Sequence, residues 1–322
     1  MLITSTQQIK EVVPVNGTAS FKIFKPYVDA AEDQYIIPLL GLELYTELNN
    51  LAADTGTPEQ KTLLKKVRYC LVHLMLFKGF DMLNVSFDDA GFERVAKDRG
   101  LYRYQEENLK DVFKSEGFNA MDTILEYLQA NLTTFEKFKT SDFYLELKGS
   151  FFPTTMVFNK IYVIGNSRLV FLQIERFFDQ VIDFQIVPVL GCTLFDKVVA
   201  EMKKESDPDA NLMALVPHIR KPLAYLAVAE GLDEIGLQVT EKGLFFETQV
   251  STMNSHVQTT LATAEQTAVL KEKAELNGKR YKEMLLDYLK TNADTYPDFT
   301  QTDLTNTNPL RRDNADKKTV WV

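Results

Sequence analysis

Apolar residues at Phe21, Phe24, Val28, Ala31 and Tyr35 alternate spacings of three and four, which puts them on one face of a helix of about four turns. Phe171, Ile174, Phe178 and Val181 repeat that face. Each helix runs into a corner, IIPLLGLELYTEL at 36–48 and IVPVLGCTLFDKV at 186–198. Pro38 and Pro188 disfavour helical geometry at the residue before them and cannot donate the next backbone bond. Gly41 and Gly191 can adopt the positive φ that re-aims the chain. The pattern therefore predicts a first helix ending at each corner, two buried aliphatic residues inside it, and a second helix with Leu42, Tyr45 and Leu48 on its inner face.

A third, longer helix is predicted from Leu64, Val67, Leu71, Leu74 or Met75, and Phe77, ending near Gly79. The period then falls to two. Val85-Ser86-Phe87 and Phe92-Glu93-Arg94-Val95 flank Asp88-Asp89-Ala90-Gly91, while Leu237-Gln238-Val239 and Leu244-Phe245-Phe246 flank Thr240-Glu241-Lys242-Gly243. Alternating arms around a four-residue turn that closes on glycine predict a β-hairpin in each half. The last helix is expected to break at Gly117 and to resume with Met121, Ile124, Leu125 and Leu128. Its second-half counterpart carries HVQTTLATAEQTAVLKEKAEL at 256–276, helical by propensity but with a thin apolar stripe. Such a helix lies half-exposed or packs on a partner.

These matches form an internal repeat. At a shift of 150, five of the thirteen corner residues are identical, and Thr4/Thr154, Asn16/Asn166, Phe21/Phe171 and Asp29/Asp179 also align. The shift becomes 152 for VRYCLVHLMLFKGFDML (67–83) against IRKPLAYLAVAEGLDEI (219–235), then 161 for LEYLQANLTTFEKF (125–138) against LDYLKTNADTYPDF (286–299). Blocks in unchanged order, separated only by insertions, indicate tandem duplication of a unit of about 150 residues. The expected fold is thus mainly α: two repeats of a small four-helix unit, each with a protruding β-hairpin. The units span residues 1–146 and 147–292, and an extended tail covers 293–322. A lone hairpin is marginal in water, so each must pair with a neighbouring subunit or pack back on its own helices.

Composition narrows the function. Hydrophobic residues make up 45% of the 322, as in cored globular chains, and no stretch approaches eighteen consecutive apolar residues, so no membrane span is expected. The opening MLITSTQQIK has neither a basic nor an apolar leader region, which suggests synthesis and folding in a cytoplasm. Cys70 and Cys192 sit in apolar patterns of different halves and are expected as buried thiols, not a disulfide. The formal charge of −9 argues against a general nucleic-acid binder, though not against a protein that lets DNA pass. It is evenly shared, with 17 Lys+Arg and 22 Asp+Glu in residues 1–150 and 19 and 23 in the remainder.

Candidate chemistry is sparse. His73, His218 and His256 lack the Cys, His or Asp spacing that suits zinc, and no phosphate-binding loop, nucleophile elbow or HExxH occurs. Asp88-Asp89 read as turn formers, and Asp29/Asp33 and Asp179/Asp183 as a solvated or salt-bridged helix face. No catalytic residue, metal site or cofactor is expected, and an enzyme is not the reading. From Ala293 the periodicity is lost, and the chain ends in Arg311, Arg312, Lys317, Lys318 and its only tryptophan, Trp321. That composition fits a docking tail anchored by Trp321, or a floppy one.

The run FKPYVDAAEDQYIIPLLGLELYTEL (24–48), followed by an amphipathic helix and a short hairpin, resembles the helical head-tail connector proteins of tailed bacteriophages. These are also called neck adaptors or head-completion proteins, and the chain looks like the double-length versions found in phages and prophages of gut bacteria, including ring proteins of crAss-like phages. The resemblance implies a virion protein at the head-tail junction that forms a homo-oligomeric ring of six or twelve chains. It also implies a portal protein on one side, a tail or second ring protein on the other, and DNA passing without sequence-specific binding. Contact elements implied on this chain are the hairpins (Val85, Phe87, Phe92 and Val95; Leu237, Val239, Leu244 and Phe246) and the tail (Arg311, Arg312 and Trp321), with Pro38, Gly41, Pro188 and Gly191 as structural corners. Alternatives are another tail-completion ring, or a cytoplasmic tandem helical module that grips a protein partner.

Overall fold

A computed structural model describes residues 1–15, 19–51, 55–88, 91–94, 102–238, 245–249, 257–261 and 264–299. The chain is mainly helical and divides into two compact units, Met1–Arg176 and Phe177–Val322.

In the first unit, α1 (Thr6–Lys10) precedes α2 (Phe21–Ala31), which continues through a π-helical turn, Glu32–Ile36, into α3 (Ile37–Leu40). The helix therefore passes through Pro38 and does not stop before it. In the π turn the Ile37 N–H reaches back to the Glu32 carbonyl, and this wider turn accommodates the proline that an α-helical ladder would exclude. The chain bends only at Gly41, at φ 79° and ψ 150°, a region that only glycine enters without strain. Next come α4 (Leu42–Asn50) and α5 (Pro58–Leu83), the latter opened by a Thr57/Gln60 capping box with Pro58 in its first turn. Gly79 does not end α5. It lets the ring of Tyr27 approach, so that a Cβ there would lie 2.8 Å from Tyr27 Cγ. Strands β1 (Val85–Asp88) and β2 (Gly91–Arg94) pair antiparallel with Val85 opposite Arg94. Helix α6 (Arg103–Ala130) follows, then α7 (Glu136–Lys139), α8 (Asp142–Lys148), α9 (Thr155–Asn159) and α10 (Arg168–Glu175).

Helix α6 runs without a break through Gly117, because there the missing side chain makes room for Leu74 on α5. The core lies between these two helices, where Val67, Leu71 and Leu74 of α5 and Ile124, Leu125 and Leu128 of α6 are buried. Leu48 is buried as expected, but Leu42 is 66% exposed and Leu44 faces the core in its place. As the first residue after Gly41, Leu42 points away from the helices that α4 covers.

The second unit begins with α11 (Phe178–Val181), a π turn Ile182–Ile186, α12 (Val187–Leu190) and α13 (Cys192–Met202). Then follow α14 (Ala210–Gln238), strands β3 (Phe245–Gln249) and β4 (Val257–Leu261), and α15 (Ala264–Thr291). Three expectations are corrected here. Leu237 closes helix α14 and is not a hairpin arm; the observed ladder joins β3 to β4, with Phe245 opposite Leu261. Val257–Leu261, assigned to a helix by propensity, is a strand, and helix begins only at Ala264. The predicted helix through Phe171 and Val181 is broken at Arg176 and Phe177, and its two halves belong to different units. Residues 147–176 thus pack with the first unit, where Arg168 and Phe171 are buried.

Candidate functional site

Positions related by the sequence repeat have the same local geometry in each unit. Gly191 stands at φ 79° and ψ 147°, and its N–H bonds the Val187 carbonyl at 2.8 Å, as Gly41 bonds Ile37 at 2.9 Å. Leu39 and Leu40 are buried at the first corner, Val189 and Leu190 at the second. Gly278 on α15 faces Leu226 on α14 as Gly117 faces Leu74, with 2.7 Å from the nearest leucine carbon to the Cβ position in both pairs. Past α6 and α15, Asn131 and Asn292 each donate from Nδ2 at 2.8 Å, to the Tyr127 and Tyr288 carbonyls. One pair is conserved in place but reversed in sign. Lys137 meets Glu47 at 2.8 Å, while Asp298 meets Lys197 at 2.5 Å.

Other features belong to one unit only. Glu32, buried at the start of the π turn, accepts the Leu2 N–H at 2.5 Å and the Tyr45 hydroxyl at 2.8 Å. Arg68 Nε donates to the Leu2 carbonyl at 2.9 Å, so both backbone groups of Leu2 are held. Burial first, then the Glu32 hydrogen bond and charge, push the Tyr45 phenol above its ordinary range. The residue at Glu32's position in the second copy is Ile182. Helix α10 is held to α6 by a buried ion pair, Arg168 Nη1 to Asp122 Oδ1 at 3.1 Å, while the Arg168 N–H donates to Asn119 Oδ1 at 3.0 Å. The Asp122 carboxyl is nevertheless raised, because desolvation outweighs the Arg168 charge.

The predicted contact residues fall in several places. Val85, Phe87 and Phe92 lie on β1 and β2, where Phe87 registers with Phe92. Phe246 lies on β3 opposite Thr260, and Leu237 on α14. Val95, Val239, Leu244, Arg311, Arg312 and Trp321 fall outside the described residues. Gly41 and Gly191 stand at the two turns, and Pro38 and Pro188 lie inside the short helices α3 and α12 that lead into them.

No group of three or more His, Cys, Asp or Glu suited to a metal ion occurs among the described residues, and none of their helices is long and apolar enough to cross a membrane. His73 is buried with Nδ1 2.8 Å from the Tyr69 carbonyl, its ring against Tyr69 and Phe113, and His218 stacks on Tyr288 at 4.1 Å. Asp29 pairs with Lys25 at 2.7 Å on the surface of α2. Cys70 is buried as expected, but Cys192 is exposed, because it occupies the outward position that Leu42 holds in the first unit. Sequence reasoning passed over Glu32 and the Arg168–Asp122 pair. The available signal was a charge that the repeat does not copy: Arg168 aligns with Thr18 and Glu32 with Ile182.

The sequence model of one family, described as a family of unknown function (DUF6712), matches residues 36–146 and again 186–309. Both matches open at the isoleucine that begins a corner, and together they cover more than two thirds of the chain. No curated protein and no solved structure matches the chain.

Proposed function

The chain belongs to the family of unknown function DUF6712, and from that premise we propose that it is a non-enzymatic structural protein of a tailed-phage virion. In this reading, copies form a closed ring of six or twelve chains at the head-tail junction, between the portal and a tail or second ring protein, and the ring continues the DNA channel. The observation that carries it is the tandem corner-bearing unit. A ring closes through heterologous interfaces repeated about an axis, and a chain of two similar units offers two related sets of surfaces for them. The finer architecture belongs to the same proposal: each unit is one copy of a duplicated helical domain whose strand pair, β1–β2 or β3–β4, serves as a contact with neighbouring chains. A two-stranded ribbon gains most from such pairing. The net charge of −9 suits a channel that must not grip passing phosphates.

Support also comes from the likeness of residues 24–48 to the head-tail connectors. The test is the solution mass of the purified chain by light scattering, for the whole chain and for one ending at residue 299. A discrete mass of six or twelve chains supports the ring. A monomer or dimer favours the other class of function, a tandem helical module that grips a protein partner.

A further inference from the structure

Helices α9 and α10 lie in the stretch between the two family matches, yet both belong to the first unit. Leu169 and Leu172 of α10 rest against the core of that unit. Apolar contact of this kind has little direction, so the register of α10 on α6 has to be set by polar groups.

Those groups converge on one carboxyl. Asp122 Oδ1 accepts from Arg168 Nη1 at 3.1 Å. The Thr155 hydroxyl, on α9, stands near the same carboxyl, close enough to favour its charged form but outside hydrogen-bonding geometry. Asn119 Oδ1 is taken by the Arg168 backbone N–H at 3.0 Å, and the Phe171 ring closes one side, 5.1 Å from the guanidinium carbon. Thr155 and Arg168 are both buried. Two of their polar atoms, Arg168 Nε and Thr155 Oγ1, are shut off from outside solvent and have no partner in the protein.

A buried donor and a buried hydroxyl left empty are costly, and native interiors rarely leave them so. Because both side chains converge on Asp122, one small molecule can touch both atoms. An anion there would face the Asp122 carboxylate, and a cation would face the Arg168 guanidinium. The pair is neutral in sum, which favours a neutral ligand able both to donate and to accept. We propose that one buried water joins Arg168 Nε to Thr155 Oγ1 and completes a polar clamp that fastens the stretch between the repeats to α6. The water accepts from Arg168 Nε–H, shares a hydrogen bond with the Thr155 hydroxyl and donates to the Asp122 carboxylate, about the three bonds usual for a buried water. The clamp needs arginine at 168, since a lysine would keep the charge beside Asp122 but lack the Nε donor. This inference concerns the first unit alone and does not rest on the ring reading.

The test compares the full chain with its Thr155→Val variant, which keeps the shape of the side chain and removes the hydroxyl. With the water in place, the variant loses a hydrogen bond, and the first unit should unfold at a lower urea concentration. Were Thr155 Oγ1 simply empty, the added methyl would remove a buried orphan, and the midpoint would stay or rise. Crystals of the unsubstituted chain, grown with bromide in place of chloride, give the second reading and need no variant. They are expected to show one water within about 3.2 Å of both Arg168 Nε and Thr155 Oγ1 and no anomalous bromide peak there. An unchanged or raised midpoint, a bromide peak at the site, or a direct bond from Thr155 to Asp122 with no water at Arg168 Nε would each overturn the proposal.

Discussion

Removing either partner of the Arg168–Asp122 pair should cost unit 1 stability, but the two losses should respond differently to pH. The side chains are 6% and 13% exposed, so neither charge has water to fall back on. Breaking a buried pair from one side typically costs about 3–5 kcal/mol. In Arg168→Met the stranded group is a carboxyl, which can escape by taking up a proton. Its folded pKa is already raised by burial even with the arginine present, and it rises further without it. A carboxyl with a raised folded pKa gives stability that is complete below its unfolded pKa and is lost as pH climbs to the folded value, at up to about 1.4 kcal/mol per unit. Arg168→Met should therefore cost about 3 kcal/mol at pH 7 and markedly less at pH 5. In Asp122→Leu the stranded group is a guanidinium that cannot shed its proton, so that cost should persist at both pH values. The double variant, with no charge left, should recover about 2 kcal/mol or more of the larger single loss. Urea unfolding at the two pH values, followed with probes in unit 1, measures all three. A single-variant cost below about 1 kcal/mol, unchanged between pH 5 and pH 7, would mean that α10 is not held to α6 by a desolvated pair and would refute the reasoning.

Gly41→Ala should cost about 1–3 kcal/mol from its backbone conformation alone, and more because its Cβ would meet Ser141 at 2.7 Å. Paired urea titrations of the variant and the unsubstituted chain read the loss. The reversed ion pair predicts that Lys137→Asp destabilises by no more than about 1 kcal/mol, since Lys137 is half-exposed, and that adding Glu47→Lys restores the loss; thermal unfolding of the double-mutant cycle checks it. Cys192 should react fully with a maleimide in the native chain while Cys70 stays unmodified until unfolding, because burial pushes the Cys70 thiol far up and closes access to it.

What could be read from sequence was whatever depends on periodicity and on glycine or proline in step. The α2 face, the aliphatic pairs inside the corners and the turns at Gly41 and Gly191 follow from local stereochemistry, so both copies announced them. Errors arose where tertiary packing decides. Gly117 looks like a helix breaker in isolation, but beside Leu74 it is the residue that lets two helices approach. Pro38 reads as a stop, yet a π turn that no simple periodicity shows carries the helix past it. Arg176 falls in an unbroken apolar pattern with nothing local to mark the division between units. Propensity alone made residues 257–261 helical, where strand pairing takes over. The Arg168–Asp122 pair joins positions that no spacing rule connects, and only the failure of the repeat to copy Arg168 marked it.

Electron-microscope images of the purified chain, class-averaged face-on, put the proposed closed ring to the test. Closed particles of sixfold or twelvefold symmetry with an open centre are expected. Monomers, dimers or open-ended filaments, at concentrations where the chain is fully folded, would contradict it.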